Sequence, residues 1–281
     1  WRAREPRAMS GPDMVPPSFE GIVGVTIQPL ACRLTDLRIT LDAPERRLDP
    51  AARARVDAFW ERATAANPRL FDGPMLSCVE TDPDAATLRC RRSTFRHLVC
   101  QPTVETGTMQ TSVTGVLTAF DERDRHHVLL ARRGPHTRVY PGMWELAPSG
   151  GIDPPTPTTS GGPGHLTGQD AWAQFTLELE EELAPLGLGG IASYLSAPDP
   201  PCLCIDHVAR SVDIVLPVRV PFDPTAPGDN GPPDPAGWEY TDARWVPLHE
   251  LTLFDKRHAA DIIPPTRALL RFFGWVPRCS P

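Results

Sequence analysis

The stretch from residue 169 to residue 182, QDAWAQFTLELEEE, constrains this chain more than any other segment. Its large apolar residues recur at spacings of three and four, which is the period of an α-helix with one buried side. These residues are Trp172, Phe175, Leu179 and Leu183. Thr167, followed three residues later by Asp170, has the pattern of a capping box at a helix start. The sequence therefore predicts a helix over residues 169–182.

Three carboxylates of this predicted helix share a second side. Glu178, Glu181 and Glu182 are again three and four residues apart, whereas Glu180 points elsewhere. Like charges crowded on one helical face repel one another, so a divalent cation is a candidate partner for them. An acidic helix face is just as commonly a solvated surface. The spacing alone leaves both interpretations open.

A glycine pair precedes the helix, and together they resemble a known signature. Gly150 and Gly151 lie in a predicted turn over residues 149–153. This pair, followed by the run Glu178-Leu179-Glu180-Glu181-Glu182, resembles the signature box of the Nudix hydrolases. That box runs from a glycine pair through an acidic residue, matched here by Asp153, to Arg-Glu-aliphatic-x-Glu-Glu. The resemblance implies a metal site on the helix.

The box departs from the family pattern in two ways. A Pro/Thr/Ser/Gly-rich segment over residues 154–164, which we predict to be an irregular loop, lengthens the interval between the glycines and the helix. Leu177 stands where the family has arginine. In the family this arginine orients the carboxylates through charge-assisted hydrogen bonds. Without it, the three glutamates must be oriented by the metal or by another cation.

A second resemblance lies in the N-terminal half of the chain. Trp60-Glu61 and Pro68-Arg69-Leu70-Phe71-Asp72-Gly73-Pro74 are similar to the N-terminal region of the Nudix hydrolases that cleave UDP-glucose and UDP-galactose. Those proteins share the interrupted, arginine-less box. The resemblance implies Mg²⁺-dependent attack of water on the diphosphate of a nucleotide sugar, with Mn²⁺ as a possible substitute. The products from UDP-glucose would be UMP and glucose 1-phosphate.

The resemblance also implies the residues of the site. The expected metal ligands and catalytic residues are Glu178, Glu181 and Glu182, and the expected substrate-binding residues are Arg96, Arg132, Gly150 and Gly151. The sequence does not identify the general base. Two alternatives stay open, namely a Nudix hydrolase of another diphosphate, such as a prenyl diphosphate or an ADP-linked metabolite, and a non-catalytic nucleotide-binding module of the same fold.

The expected fold is of the α/β (α+β) class, a Nudix-type α/β/α sandwich around a mixed sheet with a smaller N-terminal α/β portion. We predict a disordered segment at 1–17, the N-terminal portion at 18–112 and the hydrolase domain at 113–281. Strands are predicted at 21–30, 32–41, 76–80, 87–92, 113–120, 128–132, 190–197 and 207–220, and helices at 49–66, 169–182 and 262–273.

Composition limits the partners. The formal charge of −7 does not favour nucleic-acid binding by bulk electrostatics. No apolar run reaches the length of a membrane span, so no membrane partner is expected. Seven cysteines with scattered spacing predict reduced thiols, and hence a cytoplasmic protein. The expected partner is a small nucleoside-diphosphate substrate, and the sequence leaves the oligomeric state open.

Overall fold

The computed structural model describes residues 22–155, 164–184, 188, 190–221 and 239–277. The predicted disordered segment at 1–17, most of the predicted loop at 154–164 and a second Pro-rich stretch after residue 221 lie outside these ranges. Within them, the strands are β1 (Val25–Pro29), β2 (Arg38–Thr40), β3 (Pro74–Asp82), β4 (Thr87–Thr94), β5 (Gln110–Phe120), β6 (His126–Arg133), β7 (Trp144–Leu146), β8 (Ser149–Gly151), β9 (His165–Thr167), β10 (Cys202–Asp206), β11 (Ser211–Arg219) and β12 (Tyr240–Pro247). The α-helices are α1 (Pro50–Ala66), α2 (Phe95–Cys100), α3 (Gly168–Leu183), α4 (Leu251–Arg257) and α5 (Pro264–Phe272).

Strand β5 is the centre of a single mixed sheet. One edge of β5 pairs in parallel with β11 along its length. Its other edge pairs antiparallel with β3, then β8, then β6 as the chain proceeds. The short strand β8, which carries the glycine pair, is therefore held beside the middle of β5. The segment predicted as a turn at 149–153 is thus largely a strand, because these backbone groups pair with β5.

Helices cover both faces of the sheet. The alternation of side chains along β5 and β6 sends Val113, Leu117, Leu129 and their neighbours into one core with α3, and sends Val116, Leu130 and theirs into another with α5. A third apolar cluster joins α1 to α2. The predicted α/β class with a mixed sheet between helical layers is confirmed.

Strands from both predicted portions of the chain pair with one another. β1 pairs with β10, β2 pairs with β9, and β3 meets β5. The proposed boundary between residues 112 and 113 falls inside β5. The two portions share one sheet in this structure.

Several predicted elements are confirmed, and two are wrong. Helix α1 begins after Asp49, whose side chain accepts a hydrogen bond from the Ala52 amide at 2.7 Å, and β3 and β4 form the predicted hairpin. The predicted strand at 190–197 is instead a 3₁₀ turn at Ala192–Tyr194. The predicted strand at 32–41 is a 3₁₀ turn followed by the short β2. Apolar content without sustained alternation misled both predictions.

No helix in the described ranges has both the length and the apolar character needed to cross a bilayer. The cysteines that the structure describes are free thiols, and most of them are buried.

The residues that flank positions 156–163, Pro155 and Gly164, lie close together. Pro155 accepts a hydrogen bond from Arg92 Nη2 at 2.5 Å, and the Gly164 carbonyl accepts one from the Leu41 amide at 3.1 Å. A β-carbon built on Gly164 would lie 3.1 Å from Pro155 Cγ. Both ends are therefore anchored independently of the residues between them.

We expect that replacing residues 156–163 with three glycines leaves the fold intact. The closure entropy of a loop changes by only about 0.6 kcal/mol per doubling of its length, so the free energy of unfolding should move by less than about 1 kcal/mol. Urea melts of the shortened chain and the full chain check this. Aggregation, or a loss of several kcal/mol, would show that the segment is part of the core.

Candidate functional site

Helix α3 brings the acidic residues against β8, beside the central strand β5. Phe175, Leu179 and Leu183 are fully buried against β5 and its neighbours, as their spacing predicted. The predicted capping box is present, with the Thr167 amide donating to Asp170 Oδ2 at 2.7 Å. This packing fixes the rotation of the helix, and with it the direction in which its carboxylates point.

Glu182 is the most deeply placed of the predicted carboxylates. Its side chain is buried, and Oε2 accepts a hydrogen bond from the Ser149 amide at 3.0 Å. Burial raises the pKa of Glu182 well above its usual range, and the charges of Glu239, Glu178 and Glu145 raise it further. The unfavourable ionisation of this carboxyl is a condition that a cation would relieve.

Glu178 lies against the glycine pair. A β-carbon on Gly150 would lie 2.0 Å from Glu178 Cδ, so only glycine leaves room for this carboxyl. Burial raises the pKa of Glu178 to about 7. A hydrogen bond from Gln174, at 2.8 Å, opposes this rise, and the charges of nearby carboxylates add to it. Gly151 has a different neighbour, because a β-carbon there would lie 2.3 Å from Gln110 Nε2.

Glu181 and Glu180 have surroundings different from those of Glu182 and Glu178. Glu181 is exposed, yet its charge contributes to the raised pKa of Glu178. Glu180 points away from this face, as predicted, but it is not simply solvated. Its carboxylate accepts two hydrogen bonds from the Gly190 amide, at 2.9 and 2.8 Å, and one from Ala192 at 3.4 Å. Glu180 therefore anchors the segment that follows the helix.

Two further carboxylates join the cluster, and the sequence prediction missed both. Glu145 on β7 is buried between two apolar neighbours, and a charged residue within such an apolar run was the available signal. Glu239 precedes β12 and has no comparable signal in the sequence. Burial raises the pKa of Glu239, as does Glu145, while Arg133 and a hydrogen bond from Glu182 oppose the rise.

Arg133 is the cation of this cluster. Its Nη1 lies 2.5 Å from Glu145 Oε1, and both side chains are largely buried. The Tyr240 hydroxyl donates to the same oxygen at 2.8 Å. Burial alone would lower the pKa of Arg133. The charges of Glu145, Tyr240 and Glu182 outweigh this effect and raise that pKa. Leu177, at the position where the box pattern has arginine, is about half exposed, and Arg133 pairs with Glu145 and not with the three helix glutamates.

The structure does not bring the two predicted substrate-binding arginines to this cluster. Arg132 lies on the opposite face of β6 from Arg133, on the α5 side of the sheet. Its Nε donates to the Gly142 carbonyl at 2.8 Å, and its guanidinium carbon lies 6.0 Å from the centre of the Trp144 ring. Arg96 lies in the N-terminal portion and pairs with Asp57 and Asp72, each at 3.0 Å. The arginine beside the acidic helix is one residue from the predicted one.

The carboxylate oxygens of the cluster are chemically suited to a hard cation, but their present positions do not form a complete metal site. Carboxylate oxygens are the ligands that Mg²⁺ and Mn²⁺ prefer. In the part of the chain that the structure describes, no three His, Cys, Asp or Glu side chains are already grouped as a set that could hold an ion. Glu178, Glu181 and Glu182 nevertheless share one helical face.

Comparisons with known proteins give structural likeness only. No protein-family model and no curated protein matches the chain. The fold is similar to a crystal structure of the Nudix hydrolase RenU from M. smegmatis, at 15% identity and a TM-score of 0.34, over 59% of this chain and 84% of that one. It is also similar to a NUDIX hydrolase from Alicyclobacillus acidocaldarius, at 15% identity and a TM-score of 0.35, over 58% of this chain and 90% of that one.

A third similar structure is the C-terminal domain of mouse MUTYH, solved in complex with human PCNA, at 19% identity and a TM-score of 0.35, over 59% of this chain and 87% of that one. Similarity at this level carries no argument about activity, and the function proposed below rests on the geometry of the acidic cluster.

Proposed function

We propose that this protein is a metal-dependent hydrolase that cleaves the diphosphate of a nucleoside-diphosphate sugar of the UDP-glucose or UDP-galactose type. The observation that carries the proposal is the pair Glu178 and Glu182, two carboxylates that α3 holds against the β8 backbone with pKa values raised by burial and by the charges of nearby carboxylates. A carboxylate cluster of this kind is costly to the fold, and a bound cation offsets the cost. The resemblance of the glycine pair and the helix to the Nudix box supports the same assignment.

Each residue of the cluster has a role in the proposed reaction. Glu178, Glu181 and Glu182 would hold Mg²⁺ or Mn²⁺, and such an ion neutralises diphosphate charge and lowers the pKa of a bound water. Gly150, which has no side chain, lets Glu178 approach the β8 backbone closely. Arg133 keeps Glu145 in place beside Glu239 and so limits the repulsion around Glu182.

The proposed activity is tested with a substrate panel. UDP-, ADP-, GDP- and CDP-linked sugars and prenyl diphosphates are incubated with the protein, with and without Mg²⁺, and the products are separated by chromatography. We expect UMP and a sugar 1-phosphate from UDP-glucose or UDP-galactose. Turnover of only a prenyl or ADP-linked compound would replace the substrate class. Binding without turnover would assign the non-catalytic alternative.

Metal removal gives a prediction that does not depend on knowing the substrate. Mg²⁺ or Mn²⁺ should raise the melting temperature of the EDTA-treated protein, because an ion that binds only the folded state stabilises it by about 2.7 kcal/mol at a hundred times its dissociation constant. EDTA should also abolish turnover. The matched control is Glu182→Gln, which should lose the thermal shift. Full turnover in excess EDTA would contradict the proposed metal dependence.

A further inference from the structure

The N-terminal portion contains a cavity that the acidic cluster does not use. Its volume is about 650 Å³, which is in the range of small-ligand pockets. Its walls come from residues 44–48, from one side of α1 and from the start of α2. The acidic cluster is built from β7, β8, α3 and Glu239, so the two sites are formed by different segments.

Arginine dominates the charge of this cavity. Arg46, Arg47, Arg53 and Arg96 line it against the two carboxylates of Glu45 and Asp57. This concentration of positive charge stands out in a chain whose formal charge is −7. Clefts lined by one sign of charge concentrate ligands of the opposite sign.

Most of these arginines are not neutralised by the protein. Arg96 is paired with Asp57 and Asp72. Within the described ranges, the other three lining arginines, at positions 46, 47 and 53, have no carboxylate within ion-pair distance. Their guanidinium groups are therefore available to a ligand.

The Arg46 guanidinium lies close to the backbone of Gly107. A β-carbon on Gly107, whose φ is +62°, would lie 2.0 Å from Arg46 Nη1. Arg91 Nη2 donates to the carbonyl of the same glycine at 2.5 Å. Burial lowers the pKa of Arg91, and the charge of Arg46 lowers it further. Two guanidinium groups are thus crowded around one glycine, and an anion in the cavity would relieve their repulsion.

We propose that this cavity is a binding site for a phosphorylated small molecule, distinct from the acidic cluster. The planar guanidinium donates paired hydrogen bonds that match phosphate oxygens, which favours arginine over other cations at such sites. Glu45 and Asp57, which also line the cavity, can accept hydrogen bonds from hydroxyl groups, so an organic phosphate fits better than the inorganic ion. A nucleoside monophosphate and a sugar phosphate both have this chemistry.

Calorimetric titration in the presence of EDTA tests ligand binding to the arginine-lined cavity, because EDTA removes metal ions and so prevents metal-dependent hydrolysis. The probes are UMP and glucose 6-phosphate, each titrated into the full chain and into Arg46→Gln, Arg53→Gln and Arg55→Gln. Arg55 is the matched control, because it lies two residues from Arg53 on α1, about 200° around the helix, and does not line the cavity. Melting temperatures verify that each variant is folded.

We expect saturable binding of at least one probe to the full chain, a loss of roughly ten-fold or more in affinity in Arg46→Gln and Arg53→Gln, and wild-type affinity in Arg55→Gln. The preferred probe identifies the ligand as a nucleotide or a sugar phosphate. The proposal is overturned if neither probe binds at concentrations up to about 10 mM, or if Arg55→Gln weakens binding as much as Arg53→Gln. It is also overturned if Glu182→Gln changes the affinity of the preferred probe, since the two sites would then not be distinct.

Discussion

Glu182→Gln is expected to reduce turnover by roughly 10²–10³-fold while leaving the fold intact, because losses of a single essential electrostatic group typically have this size. The amide keeps the shape of the side chain, and its oxygen can still accept the hydrogen bond from Ser149. Only the charge that a metal would bind is removed. Initial rates at saturating Mg²⁺ measure the effect, and Glu178→Gln and Glu181→Gln should show losses of the same kind.

The same substitution should not lower stability in the absence of metal. The folded-state pKa of Glu182 is raised well above its usual value, so the carboxyl contributes a loss of stability as the pH rises above its unfolded-state pKa. A neutral amide removes that cost. We therefore expect the free energy of unfolding of Glu182→Gln in EDTA to equal or exceed that of the unmodified protein, and urea melts check the sign.

Glu180→Gln is the matched control on the same helix. Glu180 faces away from the cluster and accepts hydrogen bonds from the Gly190 and Ala192 amides. Its amide replacement should leave turnover almost unchanged but cost about 1 kcal/mol of stability, since one charge-assisted acceptor is weakened. If Glu180→Gln were as damaging to turnover as Glu182→Gln, the assignment of helix faces to function would be wrong.

Arg133→Met is expected to destabilise the protein by roughly 3–5 kcal/mol, because removing one partner of a buried ion pair leaves the other charge uncompensated. The Arg133 side chain is 15% exposed and that of Glu145 is 3% exposed, so water screens this pair only weakly. The remaining partner of Glu145 would be the Tyr240 hydroxyl. Urea melts of the variant and the unmodified protein measure the loss.

Two comparisons isolate the ion pair as the cause. The double variant Arg133→Met/Glu145→Gln should recover most of the lost stability, since the buried charge is gone and the glutamine oxygen can still accept from Tyr240. Arg132→Met, at the adjacent and exposed position, should cost less than about 1 kcal/mol. A loss in the double variant as large as in Arg133→Met would mean that the packing of the arginine, and not its charge, stabilises this region.

The sequence alone determined the local geometry of the candidate site. Apolar spacing fixed the existence of α3, its buried side and the shared face of Glu178, Glu181 and Glu182, because a helix relates residues three and four apart whatever surrounds it. The capping box of Thr167 and Asp170 is local in the same sense. The sequence did not determine that the glycine pair lies on a strand, because this depends on the pairing of β8 with β5.

Only the tertiary structure decided the partners of that helix. Arg133, Glu145 and Glu239 are far from α3 in sequence. They come together near Glu182 because β7 and β12 both pair with the end of β6, where Glu145 is opposite Ala131 and Tyr240 is opposite Arg133. Whether Arg132 or Arg133 faces the cluster depends on strand register, which shifts every side chain to the other face when it slips by one residue. Local periodicity carries no information about register. The three carboxylates of α3 were therefore readable from the sequence, whereas Glu145, Glu239 and Arg133 were not.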